Sequence, residues 1–390
     1  MQHRIASLLF VSFIIVLFQC QLTFSQDENP GITSPTETAA CETEISENWY
    51  ENIAFALSVT SIIQGLFGTD EEVNPDGEVV DASILARFEM TSPVAENGNA
   101  YMLIETRKGK GIDNRIDTWT GFNGSVYSDD EFELYELWYE QTSSENKWRL
   151  RGGYVDLTRD FDLNNVANCE CTQFFSPGFV NNPAVEFPDD NGAGAMLWLK
   201  PNDEVDLGFA IADADADWDD IFDGMFSMIE LVIKGKMKCG EGNYRFYGWL
   251  NAKDHPEILN EEKTSSGQGF GISFDQVLND NVTAFARYGW QRDDVYEVGS
   301  AWSLGVQFVD SRENVLGLAY GRVVMGDDQK NFDLMDGIAS GNEHHVEIYY
   351  SIKVNDNLYI TPDFQWIRNV GAVRDDGDAW ALGVRAFLEL

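Results

Sequence analysis

The chain has 390 residues, with 66 acidic against 26 basic side chains and a formal net charge of −40 at pH 7. That balance excludes nucleic acid as a partner and disfavours anionic membrane surfaces. Past the N-terminal leader no apolar run approaches the ~20 residues of a spanning helix, so any membrane passage must use a closed β-barrel.

Residues 1–25 place His3 and Arg4 ahead of the apolar run Ile5 to Phe18 and reach small or polar residues at Thr23 and Ser25. This is the pattern of a secretory signal peptide. Residues 26–52 are rich in Ser, Thr, Pro and Glu without a period and read as a mobile periplasmic leader. From Ile53 the apolar period is two and stays so to the last residue, which assigns 53–390 to one all-β domain. Strands are expected near 53–65, 79–90, 100–108, 131–141, 147–156, 193–200, 205–213, 227–237, 243–253, 268–278, 281–292, 300–310, 314–325, 344–354, 357–369 and 378–390, sixteen in all.

Every second connection is a tight polar turn, as at 142–146, 201–204, 279–280, 311–313 and 355–356. The intervening ones are long: 66–78, 109–130, 157–192, 214–226, 254–267, 293–299, 326–343 and 370–377. Turns on one rim and loops on the other describe a transmembrane antiparallel β-barrel of about 16 strands, in the outer membrane of a Gram-negative bacterium. The last strand sets Trp380, Leu382, Val384, Ala386, Leu388 and Leu390 on one face, and Arg385 and Glu389 on the other. A charged side chain facing lipid costs ~2 to 4 kcal/mol at the midplane, so the charged face is assigned to the lumen. The strand near 302 repeats this, with Trp302, Leu304, Val306 and Phe308 outward.

The loop 157–192 never alternates, is broken by Asn, Pro and Gly, and still carries Phe161, Phe174, Phe175, Phe179 and Phe187. Such a loop needs an enclosed place to pack and is read as folding inward to form a constriction. Arg87, Arg149, Arg151, Arg245, Glu347, Asp363, Gln365 and Arg385 fall on the inferred lumen face. Asp160, Asp162 and Glu186 on the loop would oppose arginines of the wall, giving hydrogen-bond partners to a passing polyol.

Six Asp-Asp pairs fall in the long loops, at 129–130, 189–190, 219–220, 293–294, 327–328 and 375–376. They read as solvation of exposed loops or as divalent-cation bridges, with Asp215, Asp217 and Asp219 as possible loop ligands. Trp218 occupies the place where an EF-hand turn needs Gly, so that motif fails. His344 and His345 face opposite sides of one strand, and no nucleophile or cofactor constellation is legible, so no enzyme is expected. Cys169 and Cys171 read as a free thiol pair or a local disulfide. Cys41 and Cys239 fall on the same rim and are expected to tether the leader to the barrel.

Three stretches together resemble the carbohydrate-selective porins, the OprB-like family. They are Gly153-Tyr-Val-Asp156-Leu-Thr-Arg159-Asp160-Phe161-Asp162 with Ala167-Asn168, Thr172-Gln173-Phe174 and Phe179-Val-Asn181-Asn182-Pro183-Ala184; Val346-Glu347-Ile-Tyr349-Tyr350; and Leu358-Tyr-Ile-Thr-Pro362-Asp363-Phe-Gln365-Trp366-Ile-Arg-Asn369. The resemblance implies a 16-stranded outer-membrane porin passing sugars and other small polar solutes by diffusion. Its partners would be outer-membrane lipid and lipopolysaccharide, and possibly further copies of itself in a homotrimer. Such barrels commonly finish on an aromatic residue and carry basic eyelets, whereas this chain ends on Leu390 and is acidic overall. The alternative reading is a secreted or surface-attached β-rich lectin or adhesin.

Overall fold

The computed structural model describes residues 52–67, 77–126, 131–188, 191–216, 224–374 and 377–390. Sixteen strands follow one another: β1 (Ala54–Phe67), β2 (Val79–Ala95), β3 (Gly98–Lys108), β4 (Glu131–Thr142), β5 (Trp148–Val155), β6 (Gly192–Asn202), β7 (Val205–Asp213), β8 (Met225–Met237), β9 (Gly240–Glu257), β10 (Asn260–Asn279), β11 (Val282–Gln291), β12 (Val298–Val309), β13 (Val315–Met325), β14 (Asn342–Lys353), β15 (Leu358–Arg368) and β16 (Asp378–Glu389). Each pairs antiparallel with its neighbours, and β1 closes on β16 from Ser58 opposite Glu389 to Phe67 opposite Trp380. Closure leaves no edge strand, so every wall amide can be hydrogen-bonded within the sheet, as a lipid environment requires.

The wall is amphipathic in the sense read from the sequence. On β16 Leu382 and Val384 are 54% and 48% exposed, while Arg385 between its neighbours is fully buried inside. Phe55, Val80, Phe132, Ile211, Ile229 and Phe270 are likewise exposed on the outside. A belt of this kind is stable against lipid and incompatible with a water-soluble lectin or adhesin. The alternation fixes facing because a one-residue slip would carry Arg385 into that belt. His345 points in and is buried, and His344 points out.

Two elements were not legible. Residues 254–267, expected as a loop, continue β9 and β10 as a long hairpin turning at 258–259. Its stretch Asn260-Glu-Glu-Lys-Thr-Ser-Ser-Gly267 is polar on both faces, since a ribbon standing in water beyond the rim needs no apolar side. A short helix, α1 (Asp327–Met335), lies in the loop after β13. Asp327 and Asp328 occupy its first turn, where carboxylates oppose the helix dipole, and Asp293 accepts from the Asp327 N–H at 3.1 Å.

The signal peptide, the leader and Cys41 lie outside the described residues, as do four of the six Asp-Asp pairs. Cys239 sits in the turn between β8 and β9, where Gln276 Nε2 donates to its sulfur at 3.8 Å.

Candidate functional site

The barrel interior is occupied by the loop after β5. Asp156 caps its first turn by accepting from the Thr158 N–H, and the chain then crosses to the far wall. There Asp162, in the left-handed region at φ 55°, is fully enclosed. Arg287 on β11 donates to the Asp162 carboxylate at 3.1 Å, to the Asp162 carbonyl at 2.7 Å and to the Phe179 carbonyl at 2.6 Å. One guanidinium thereby ties two points of the loop seventeen positions apart. Tyr247 Oη and the Asn182 N–H complete the shell of Asp162 at 2.9 Å each. Burial raises the Asp162 carboxyl above its ordinary value in spite of Arg287.

Further along, Glu347 on β14 accepts from the Phe175 and Ser176 amides at 2.5 and 3.1 Å. Ser176 caps a single helical turn, Pro177–Val180, and Phe174 packs on Tyr349, Phe285 and Phe179. Arg385 lies over the Phe175 ring at 4.2 Å and donates to the Glu170 carbonyl. Gly289 lets this packing occur, because a Cβ there would meet the Asn182 amide at 2.6 Å.

The loop after β3 also enters the lumen, which sequence reasoning missed. Glu343 on β14 accepts from the Trp119 and Thr120 amides and from the Thr120 hydroxyl, and Gln365 donates to the Phe122 carbonyl. The two loops are hydrogen-bonded to each other: Gly124 N–H to Phe175 O at 2.8 Å, Gly178 N–H to Thr120 O at 2.9 Å and Ser176 Oγ to the same carbonyl at 2.8 Å. Burial pushes the Asp113 carboxyl up to about 6, against the opposing effect of backbone donors from Phe122 and Asn123.

The inner wall of β2 to β5 and the start of the loop after it keep some of their charged side chains partly exposed, Arg87, Arg149, Arg159 and Glu89 among them. Asp160 receives Arg149 at 2.5 Å and Arg151 at 2.6 Å, and Glu140 receives the same two arginines at 3.1 and 2.9 Å. Burial alone would raise the Asp160 carboxyl, but Arg151 and then Arg149 hold it below its usual range. Beside this cluster runs a stack: Arg151 over Trp138 at 3.9 Å, Trp138 on Tyr101 at 4.6 Å, and Arg159 over Tyr101 at 5.6 Å. Arg159 bonds Glu136 at 2.5 Å and reaches Glu89 at 4.0 Å, with 42% and 33% of the Arg159 and Glu89 side chains exposed. Next in line Arg87 pairs with Glu105 and Glu170, and Arg107 with Glu105 and Glu133.

Of the residues singled out from sequence, Arg149, Arg151 and Asp160 come together, but in direct ion pairs at 2.5 and 2.6 Å and not as charges facing one another across an open lumen. Asp162, Glu347, Asp363, Gln365 and Arg385 are buried where the loops attach, and Arg245 pairs with Asp275 at 2.6 Å instead of meeting Asp162 directly. Gln365 donates to Asp363 at 2.8 Å. Glu186 lies half-buried, its charge acting on Tyr296. Asp215 pairs with Lys253 at 2.7 Å, while Asp217 and Asp219 lie outside the described residues. Among the described residues no group of three or more His, Cys, Asp or Glu is placed to hold a metal ion. Arg159, Glu136, Glu140, Glu89, Trp138 and Tyr101 were missed. The alternation of β4, interrupted by a register shift between Leu103 and Ile104 of its partner, hid which of its residues face inward.

Cys169 and Cys171 sit under this wall as thiols. Arg87 donates to the Cys171 sulfur at 3.2 Å. A hydrogen bond from Cys171 lowers the Cys169 thiol to about 6.

The profile of the carbohydrate-selective porin, OprB family matches residues 94–389. The high-pH structure of Pseudomonas putida OprB superposes with a TM-score of 0.76 at 15% identity, over 87% of this chain and 95% of that one. The outer membrane channel DcaP of Acinetobacter baumannii superposes at 0.56 with 12% identity, over 87% of this chain and 97% of that one. An uncharacterized protein of Aquifex aeolicus (strain VF5) is 25% identical over 222 residues, which is 56% of this chain and 59% of that protein, so the match spans under two thirds of that relative. The match takes in β3 through β16, both inward loops and Arg149, Arg151 and Arg159 between them, and the chain therefore belongs to the carbohydrate-selective porin, OprB family.

Proposed function

We propose that the protein is an outer-membrane porin through which carbohydrates and other small hydrophilic solutes diffuse passively. The observation that carries this reading is the ladder of Arg149, Arg151, Arg159, Asp160, Glu140 and Glu89 beside the Trp138–Tyr101 stack, in which Arg149, Arg159 and Glu89 keep 27%, 42% and 33% of their side chains exposed while Arg151 and Asp160 are buried behind them. Fixed donors and acceptors exchange with water for sugar hydroxyls at little net cost, and each such contact is worth only ~0.5 to 1.5 kcal/mol, weak enough for release. The excess of carboxylates elsewhere makes the channel attractive to cations, while the arginine wall supplies a local field of opposite sign.

The test is single-channel recording with sugar titration on Arg149→Ala/Arg151→Ala. Sugar block should weaken and the reversal potential move toward cation selectivity. An unchanged block and reversal potential would place the solute path elsewhere in the lumen. A homotrimer is supported by a groove of about 590 Å³ on the outer wall, lined by Leu134, Leu137, Gly153, Tyr154, Ala193 and Gly194, where small residues allow close approach of another wall. Sedimentation in density-matched detergent distinguishes one copy from three.

A further inference from the structure

On the outer wall near the long-loop rim, five strands place one continuous cross-strand row: Trp302 opposite Arg322, Arg322 opposite His344, His344 opposite Arg368, and Arg368 opposite Asp378. The row beneath it, two residues nearer the midplane, is Leu304, Tyr320, Val346, Trp366 and Trp380. Beneath that comes Val306, Leu318, Ile348, Phe364 and Leu382. Apolar, then aromatic, then charged is the order expected on passing from hydrocarbon through the interfacial girdle to the headgroups. The charged row therefore stands about 7 Å above the girdle, at headgroup level.

The row is unusual for this chain. With 66 acidic residues available, two arginines flank a histidine on adjacent strands, and among the described residues no carboxylate lies within 4 Å of either guanidinium. The Arg322 Nε is buried without a hydrogen-bond partner among the described residues. Asp378, the one acid of the row, instead accepts from the Trp366 indole at 3.1 Å. His344 is held by Tyr320 Oη at its Nδ1, 2.7 Å away, so the other ring nitrogen, Nε2, is not used in that contact. Arg322 and Arg368 stand two strands apart with His344 between them, and among the described residues no acid offsets either charge beside the apolar layer, so the arrangement is completed by an anion from outside.

We propose that Arg322, His344 and Arg368 bind a phosphate group of an outer-leaflet glycolipid, directly and without a divalent cation. Forked guanidinium donors suit phosphate oxygens, and the Trp366–Trp380 pair, stacked at 5.6 Å, would rest against the lipid portion. The proposal rests on the outer-membrane reading but not on the solute that passes through the pore.

The full chain in detergent, with EDTA present, is titrated with lipopolysaccharide, and bound lipid is counted by native mass spectrometry. Arg322→Gln/Arg368→Gln should bind about 25-fold more weakly, a factor of about 5 for each cationic side chain. Arg322→Lys/Arg368→Lys should retain most of the affinity. Heat-modifiable migration and unchanged conductance confirm that each variant is folded, and separate this test from that of the solute path. Equal binding by wild type and the Gln variant, or equal binding of dephosphorylated lipopolysaccharide by the wild type, overturns the proposal. Displacement of lipid by millimolar inorganic phosphate overturns it too, since the site would then be one for free phosphate.

Discussion

Arg287 is the point at which the inward loop is easiest to release. Its side chain and that of Asp162 are 1% and 0% exposed, and it makes three of the hydrogen bonds that hold the loop to β11. In Arg287→Ala the Asp162 carboxylate loses its countercharge while still enclosed, which costs ~3 to 5 kcal/mol for a buried pair. The low end applies, because Tyr247 and the Asn182 amide still donate to it. Two carbonyls left without donors add ~1 to 3 kcal/mol each, for a sum of about 5 kcal/mol or more. A loop held by a few such contacts will leave its site at that cost, while the sixteen paired strands are untouched. Hydrogen exchange over 161–182, and over 109–126 which is hydrogen-bonded to it, should rise by orders of magnitude, and single-channel conductance should become larger and noisier with the barrel's melting temperature little changed. Arg287→Met/Asp162→Asn, which removes both charges and keeps a residue tolerant of positive φ, should recover part of the closure. Wild-type conductance and exchange in Arg287→Ala would refute the assignment of this pair as the anchor.

The remaining predictions concern the same interior. Gly289→Ala should displace Asn182 and raise exchange locally, because its Cβ would come within 2.6 Å of that side chain; an unchanged exchange pattern would show that the loop packs elsewhere. Cys169 should react with a small thiol reagent with a midpoint near pH 6 instead of the ordinary 9, and Cys169→Ser should abolish the fast phase. The sign follows from a depressed acid: the Cys169 contribution to loop stability is lost as the pH falls through 6, while the raised Cys171 thiol acts in the opposite sense at high pH. A reaction midpoint near 9 would contradict the hydrogen bond from Cys171.

The barrel was legible because lipid imposes period two on every strand, and Leu382, Val384 and Arg385 could be faced correctly from sequence alone. The polar ends of β9 and β10 escaped because water imposes no period. In the interior, charge type was readable but occupancy was not. Nothing local distinguishes Arg149, which keeps 27% of its side chain exposed, from Arg385, which is covered by Phe175. That difference depends on where two loops settle, and loop position is set by contacts such as Glu343 to Thr120 that span more than two hundred residues. The entry of residues 109–126 was hidden for the same reason, since their anchors lie on β14 and β15.

The bonds between Gly124 and Phe175, and between Thr120 and Gly178, make the two inward loops one mechanical body. If either withdrew alone, it would strand the donors and acceptors of the other in a contact that is buried at Thr120, Phe175 and Ser176. Opening is thereby made cooperative. A perturbation confined to one loop, such as Glu343→Ala, should free both together, so that the current steps between discrete levels instead of drifting. A barrel with a single inward loop, tethered only to its own wall, has no such coupling and would respond in graded fashion.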